Sequence, residues 1–397
     1  MPTQLPPAVA DIRQQLRAVL SGELPFVELL TSGSTGAALP VRLSGSALGW
    51  SAAATHRWLG GPGRWVLALS PHRVAGLQVV TRSLLAQDAG VVTPLLSSIG
   101  TGVPGSDGVT GADGVPGRDA VPGPDAVATL ANTLQAAQFD ASPVYVSLVP
   151  TQLYQLLAAG RADALAACAA VLVGGAAIPP ALVADAEAAG VRLVRTYGMT
   201  ETAGGCVYNG MPLPGVGVRL MPVPGAVASQ QRIELSGPML ADGCGSADQG
   251  TVWFATNDLG AFANDGSLVV LGRLDDVILS GGVNLQPPAI ETTVAPILAA
   301  ELGTPMTVCA VGVPDQKWGH AVAVVAAPLS PASATHQRPP FPYGLLPQDS
   351  LARVRAACQP REYAPRYVIL VENLPTLPSG KADRQQIARL AATLVGA

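Results

Sequence analysis

Thr31-Ser32-Gly33-Ser34-Thr35-Gly36 follows directly on the apolar run Pro25 to Leu30. Glycines accept positive φ and let backbone N–H groups converge on an anion, while the hydroxyls add rotatable donors, so the stretch suits a phosphate-holding loop. A Ser/Gly-rich turn between two strands accounts for the same composition. It is not a Walker loop, which ends in Gly-Lys-Ser/Thr, because it holds no lysine. Four further clusters follow in order. Gly174-Gly175-Ala176-Ala177 closes one apolar segment and Tyr197-Gly198-Met199-Thr200-Glu201-Thr202 closes the next. Thr256-Asn257-Asp258-Leu259-Gly260 precedes Gly272-Arg273-Leu274-Asp275-Asp276, and Pro378-Ser379-Gly380-Lys381-Ala382-Asp383-Arg384 lies near the C-terminus. Each could serve a different piece of nucleotide chemistry.

Of the 23 basic residues only Lys317 and Lys381 are lysines. In so arginine-rich a chain, a lysine that remains marks a place where a compact, flexible point charge is needed. A solvated loop lysine is the plainer reading of Lys381.

These clusters need elements to hold them. Apolar spacing predicts helices over 8–20, 74–87, 126–138, 151–159 and 180–189, alternating with strands near 41–43, 65–69, 91–96, 144–149, 170–173 and 192–197. That alternation reads as βαβ units with a mostly parallel sheet. Short strands at 217–221, 231–235, 251–254 and 267–271 predict a small antiparallel subdomain. Beyond 273 a compact α+β segment is expected, with strands at 277–279, 308–311, 321–326 and 367–371 and helices at 289–302, 349–358 and from Arg384. The expected domains are thus 1–273 and 274–397. Residues 100–124, with their Gly-Val-Pro-Gly and Gly-Ala-Asp-Gly repeats, have few large apolar groups to bury and are expected to form a mobile surface insertion.

Composition narrows the function classes. A chain of 397 residues that is 49% hydrophobic and 13% charged can bury a sizeable core. Its net charge of −4 is spread without a basic stripe, so nucleic acid is not the expected partner. Five scattered cysteines form no Cys-x-x-Cys pair and read as buried thiols. No apolar run is long enough to span a membrane, and polar Gln4, Asp11, Arg13 and Arg17 stand where a secretory core would sit, so the cytoplasm is expected. The oligomeric state is left open, a homo-oligomer included.

Taken together the five clusters resemble the adenylate-forming superfamily of acyl-CoA ligases, luciferases and peptide-synthetase adenylation domains, over nearly the whole chain. The likeness is nearest to the o-succinylbenzoate–CoA ligases of menaquinone biosynthesis, through Ala68-Leu69-Ser70-Pro71-His72-Arg73-Val74-Ala75-Gly76, Ser147-Leu148-Val149-Pro150-Thr151-Gln152-Leu153 and Arg195-Thr196-Tyr197-Gly198-Met199-Thr200-Glu201-Thr202. The resemblance implies an enzyme that uses ATP and Mg²⁺ to adenylate a small-molecule carboxylate and then transfers the acyl group to coenzyme A. Another aryl- or acyl-CoA ligase, or a nucleotide-binding homologue without catalysis, is the alternative.

The resemblance also implies roles. Thr31, Ser32, Gly33, Ser34, Thr35 and Gly36 would hold the β- and γ-phosphates. Gly174, Gly175, Ala176, Tyr197 and Gly198 would line the adenine pocket. Thr200 would donate to the α-phosphate and Glu201 would hold Mg²⁺, although a helix-capping turn explains the same pair. Asp258 would accept from the ribose hydroxyls with Arg273 beside it, against a plain surface ion pair. Lys381 would meet the charge that builds as the carboxylate attacks phosphorus. Asp275 falls at the superfamily's hinge, where an ordinary linker is the rival, and Gly281 and Gly282 would approach pantetheine. His72, Arg73, Thr151 and Arg195 are substrate-pocket candidates, with Gln152 and Tyr208 also placed there; a second carboxylate would need a cation such as Arg73 or Arg195.

The sequence also departs from the family. Ala38-Leu39 replaces the usual Pro-Lys after the phosphate loop, which leaves Arg42 as the candidate substitute cation. Leu279 replaces a frequent lysine, and much of the superfamily's usual N-terminal region is not in the sequence.

Overall fold

The structure, a computed structural model, describes residues 6–32, 38–98, 124–223, 231–329, 343–376 and 382–396. The glycines and hydroxyls at 33–36, Lys381 and nearly all of the expected 100–124 insertion lie outside the described residues.

Helix α1 (Pro7–Ser21) leads into an antiparallel hairpin of β1 (Phe26–Ser32) and β2 (Ala38–Ser44), whose last described pair is Ser32 with Ala38. The phosphate-loop stretch thus begins at the end of β1, and β2 follows it in the chain. Helix α2 (Gly45–Leu59) follows and was not expected. Its signals are Ser44, whose side chain accepts the Ala47 N–H, and left-handed Gly60 at its end. Gly45 and Gly49 masked the helical pattern. The first of them is needed where α2 crosses the end of α1, since a Cβ there would collide with the Val19 carbonyl.

The central sheet has the order β4-β3-β5-β6-β7-β8-β9. Strands β3 (Arg64–Leu67), β4 (Leu95–Ser97), β5 (Val144–Leu148), β6 (Ala170–Val173) and β7 (Leu193–Met199) are parallel; β8 (Gly204–Tyr208) and β9 (Met211–Pro212) turn back antiparallel. Helix α3 (Val74–Asp88) connects β3 to β4, α4 (Pro124–Ala136) precedes β5, α5 (Pro150–Ala158) and α6 (Ala162–Ala166) lead to β6, and α7 (Pro180–Ala188) to β7. The side-chain period of two sends Trp65, Leu67, Tyr145 and Leu172 to a core shared with α1, α2 and α3. Val66, Val144, Val146 and Val171 go to the opposite core with α4 to α7.

A second sheet runs β10 (Gly217–Pro222), β11 (Gln231–Ser236), β13 (Thr251–Phe262) and β12 (Ser246–Asp248), with β14 (Leu268–Arg273) beside β13. A third has the order β16 (Val283–Leu285), β15 (Ile278–Ser280), β18 (Gly319–Pro328), β20 (Tyr367–Leu370), β19 (Gly344–Leu345), with β17 (Met306–Asp315) also on β18. Helices α8 (Pro287–Leu302) and α9 (Gln348–Ala357) bury one face of it, and α10 (Arg384–Val395) the other. The molecule is thus an α/β part with a mostly parallel sheet and antiparallel strands, followed by an α+β part.

Two compact units divide the chain: Met1–Arg219 with Glu234–Thr256 and Phe262–Val269, and Leu220–Ile233 with Asn257–Ala261 and Val270–Ala397. Each is described below by itself.

Candidate active site

In the first unit, the expected residues gather at the carboxyl ends of the parallel strands, where open α/β sheets bind ligands. Beyond β3 the chain turns through exposed His72 into α3, with half-buried Arg73 as its first flanking residue. Beyond β5 comes exposed Thr151 in the first turn of α5. Gln152 is half-buried and its side chain is engaged locally. Its amide accepts the Val149 N–H at 3.1 Å and donates to the Ala68 carbonyl at 2.9 Å, tying the ends of β5 and β3 together.

Beyond β6, Gly174 is required by packing, because a Cβ would collide with the Thr196 hydroxyl; Gly175 and Ala176 are exposed. Tyr197 and Arg195 share one face of β7, and Arg195 is exposed. Gly198 lies at a register shift and so close to β8 that a Cβ would meet the Gly204 carbonyl. That approach carries β7 over into β8 through the turn Thr200–Thr202.

The turn resolves the capping alternative. Its cap is Thr202, fully buried, whose hydroxyl accepts the Met199 N–H at 2.9 Å. Thr200 and Glu201 are not used in this way, and among the described residues neither the Thr200 hydroxyl nor the Glu201 carboxylate has a hydrogen-bond or ion-pair partner. The Glu201 carbonyl accepts the Ala241 N–H at 2.8 Å and the Arg42 carbonyl accepts the Asp242 N–H at 2.9 Å. Residues 241–242 thereby join the β1–β2 hairpin to the Thr200–Thr202 turn. Cys244 beside them has its thiol pushed up by burial and by the charges of Glu201 and Asp242.

Arg42, the candidate substitute cation, is engaged on its own hairpin. Its Nε donates to Glu28, the residue opposite it on β1, at 3.2 Å, and its guanidinium lies over Phe26.

Tyr208 is fully buried, its hydroxyl is 2.9 Å from the Thr55 hydroxyl, and its ring meets Trp58 edge-on. It supports a cation that the sequence did not single out. Arg82, on α3, is 3% exposed, and among the described residues no carboxylate pairs with it. One guanidinium nitrogen reaches the Tyr208 hydroxyl at 3.4 Å, the guanidinium carbon lies 4.9 Å from the centre of the Trp65 ring, and among the described residues buried Nε has no partner. Gln78, one turn earlier, has an equally buried carbonyl oxygen with no partner. Arg82 is eight residues into α3, about 12 Å from its start, and helical side chains lean back toward the N-terminus, here toward His72. A mid-helix arginine reads in a sequence as solvent-facing, which is why it was missed.

In the second unit, Asp258, Arg273 and Asp275 come together. Arg273 makes a two-pronged pair with Asp275 at 2.8 and 2.9 Å and stands 3.9 Å from Asp258. These pairs raise the Arg273 pKa, the Asp275 hydrogen bond most. Gly281 and Gly282 both have positive φ, +58° and +83°, and form the two-residue turn between β15 and β16 that such angles favour. Gly281 lies flat on Trp318, where a Cβ would be 2.5 Å from the indole. A groove of about 700 Å³ opens beside them, lined by Gly281, Trp318, Arg355, Arg361 and Arg366. Its arginines and indole were not anticipated, because Arg355, Arg361 and Arg366 lie far in sequence from Trp318 and Gly281. Leu279, in the frequent lysine position, is 53% exposed.

Among the described residues no three His, Cys, Asp or Glu side chains gather to hold a metal, and no helix is long and apolar enough to cross a membrane.

A family model described as AMP-binding enzyme matches residues 124–254. A probable 2-succinylbenzoate–CoA ligase of Mycobacterium tuberculosis (strain ATCC 25618 / H37Rv) is 35% identical over 374 residues, covering 90% of this chain and 82% of that protein. The 2-succinylbenzoate–CoA ligase of Escherichia coli (strain K12) is 34% identical over 199 residues, 46% of this chain and 40% of that protein. Among solved structures, an o-succinylbenzoate CoA synthetase from Bacillus subtilis in complex with its acyl-adenylate intermediate superimposes with a TM-score of 0.66 at 21% identity, covering 91% of this chain and 68% of that one. ATP-bound MatB from Rhodopseudomonas palustris gives 0.68 at 20%, covering 92% and 68%. At such identities the structural likeness is one of fold.

Proposed function

The chain belongs to the AMP-binding family of adenylate-forming enzymes, among the 2-succinylbenzoate–CoA ligases, and from that premise we propose that it converts o-succinylbenzoate to o-succinylbenzoyl-CoA in menaquinone biosynthesis. In the first step a carboxylate oxygen bonds to the α-phosphorus of ATP, the bond from that phosphorus to the bridging oxygen breaks, and pyrophosphate leaves. In the second the thiol sulfur of coenzyme A bonds to the acyl carbon, its proton is lost, and AMP departs with the C–O bond electrons.

The observation that carries the substrate assignment is Arg82. A buried guanidinium without a carboxylate is costly unless a ligand supplies the counter-charge. o-Succinylbenzoate has two carboxylates, so one reacts at the carboxyl edge of the sheet while the other pairs with Arg82. Arg82 takes this part in preference to Arg73 and Arg195, whose side chains are not buried.

Thr200 donates to the α-phosphate, and Glu201 holds Mg²⁺. A lone carboxylate fits that ion, which keeps waters and phosphate oxygens as most of its ligands. When bound, Mg²⁺ neutralises phosphate charge. Residues 31–36 take the β- and γ-phosphates, Gly175, Ala176 and Tyr197 line the adenine site, and Asp258 accepts from the ribose with Arg273 beside it. Lys381 supplies the cation for the adenylation step, and a turn at Asp275 of residues 274–397 against 1–273 separates the two steps. The three arginines of the groove suit the phosphates of coenzyme A, and Trp318 suits its base. A cytoplasmic location is part of this reading, in keeping with ATP and coenzyme A as co-substrates.

Carboxylate-dependent ATP–pyrophosphate exchange tests the reading. It is expected with o-succinylbenzoate and not with benzoate or fatty acids. Exchange with those acids alone would make it another acyl-CoA ligase, and none across the panel despite ATP binding would mean a non-catalytic homologue.

A further inference from the structure

Six charged side chains of the second unit form two ion-pair clusters that meet at the adjacent residues Asp275 and Asp276, with Asp258 at one end. Arg273 links Asp258, 3.9 Å away, to Asp275. The next residue, Asp276, pairs with Arg384 Nε at 3.3 Å. Arg384 uses its other nitrogens on Glu291 at 2.8 Å and on the Ala310 carbonyl at 2.8 Å, and Glu291 accepts the Ala310 N–H at 2.9 Å. Four carboxylates thus share two guanidinium groups. Asp276 feels this crowding: burial raises its pKa most, the charges of Asp275 and Asp258 raise it further, and Arg384 opposes them.

The geometry points to Arg384 as a positioning residue for the ribose end of the nucleotide, acting through Asp276 and Arg273 on Asp258. The inference rests on the proposed role of Asp258 as the ribose acceptor. Asp275 and Asp276 are adjacent, so pinning Asp276 fixes the backbone from which Asp275 reaches Arg273. Without Arg384, half-buried Asp276 keeps only one nearby guanidinium, Arg273. Asp276 then draws Arg273 from its place between Asp258 and Asp275, and the Asp258 carboxylate loses the guanidinium that stands 3.9 Å from it. Arg384 meets three differently placed acceptors with one planar fork, which a lysine cannot do.

The test is discrimination between ATP and 3′-deoxy-ATP, read as the ratio of kcat/KM values in carboxylate-dependent pyrophosphate release. Wild type, Asp258→Asn, Arg384→Lys and Asp276→Asn are compared. Asp258→Asn is expected to bring the ratio close to one. Arg384→Lys and Asp276→Asn are each expected to lower it about three- to tenfold, with KM for the carboxylate unchanged, an effect that a general loss of stability does not produce. Should Arg384→Lys not fold, Asp276→Asn decides, since it removes the charge without changing shape. An unchanged ratio in the folded variants beside a collapsed ratio in Asp258→Asn overturns the positioning role and leaves the ribose assignment standing. An unchanged ratio in Asp258→Asn overturns both.

Discussion

Two arginines are buried against the same parallel sheet, and they are treated in opposite ways. Arg64, at the amino end of β3, is 0% exposed and completely partnered. Its guanidinium donates to both Asp140 oxygens at 3.1 and 2.8 Å and to the carbonyls of Thr93, Ala137 and Val92 at 3.1, 2.7 and 3.0 Å, with Phe139 stacked on it. Hydrogen bonding to Arg64 holds the Asp140 carboxyl well below the usual carboxylate range. Arg82, on the helix that starts at the carboxyl edge, has Tyr208, the Trp65 face and an Nε with no partner. Burial is the same and satisfaction is not. The closed network fastens β3 to the chain before β4 and β5, while the open one leaves a charge for a ligand to complete.

Exchanging each arginine for methionine should separate the two roles. Arg64→Met removes the partner of five buried or half-buried acceptor bonds and is expected to cost about 3 kcal/mol of stability, measured by urea unfolding, without changing substrate preference. Arg82→Met deletes an uncompensated buried charge and is expected to leave stability unchanged or raise it.

His56 sharpens the contrast, because it lies beside Arg82. Its Nε2 accepts the Trp65 indole N–H at 3.1 Å, so the ring is held neutral, and burial first, then the Arg82 charge, push its pKa down to about 4. A histidine depressed in the folded state contributes stability that is complete above pH ~6.5 and is lost as pH falls toward ~4. Unfolding measured at pH 7.5 and 4.5 should differ by roughly 2–3 kcal/mol on this account, and His56→Gln, which keeps an acceptor, should flatten the difference. An unchanged pH dependence in the variant would show that His56 is not the responsible group.

A smaller effect concerns the thiols. Burial pushes Cys168, Cys206 and Cys309 up to about 12, so at pH 8 they are almost wholly protonated and should resist iodoacetamide in the folded protein. Cys244, only partly buried, should be labelled first. Mass mapping of the adducts checks the order.

The comparison also shows how much could be read from the sequence. The alternation of strand and helix, and the clusters that close each strand, were legible because period and turn chemistry are local. Thr200 and Glu201 stand out from Thr202 only once the turn is seen, since all three residue types suit a cap. Tyr208, fully buried, and Gln152, which ties β5 to β3, show that a polar group near a pocket motif carries no sign of the face it occupies. Arg82 was invisible for the opposite reason: its partners, Tyr208 and Trp65, are far away in the chain. Arg42 shows the limit of proximity in sequence, since its guanidinium is engaged by Glu28, the residue opposite it on the hairpin. Helix α2 was hidden by two glycines, of which packing demands Gly45.

The central claim is that Arg82 receives the free carboxylate of the substrate. The most direct measurement is pyrophosphate release by wild type and Arg82→Met with o-succinylbenzoate and with two analogues that each lack one carboxylate, 4-oxo-4-phenylbutanoate and 2-butanoylbenzoate. Wild type should favour o-succinylbenzoate over the reactive analogue by about 100-fold in kcat/KM, about 2.7 kcal/mol, and Arg82→Met should bring the two within about tenfold. If the preference survives intact in a folded Arg82→Met variant, the second carboxylate binds elsewhere and the assignment is wrong.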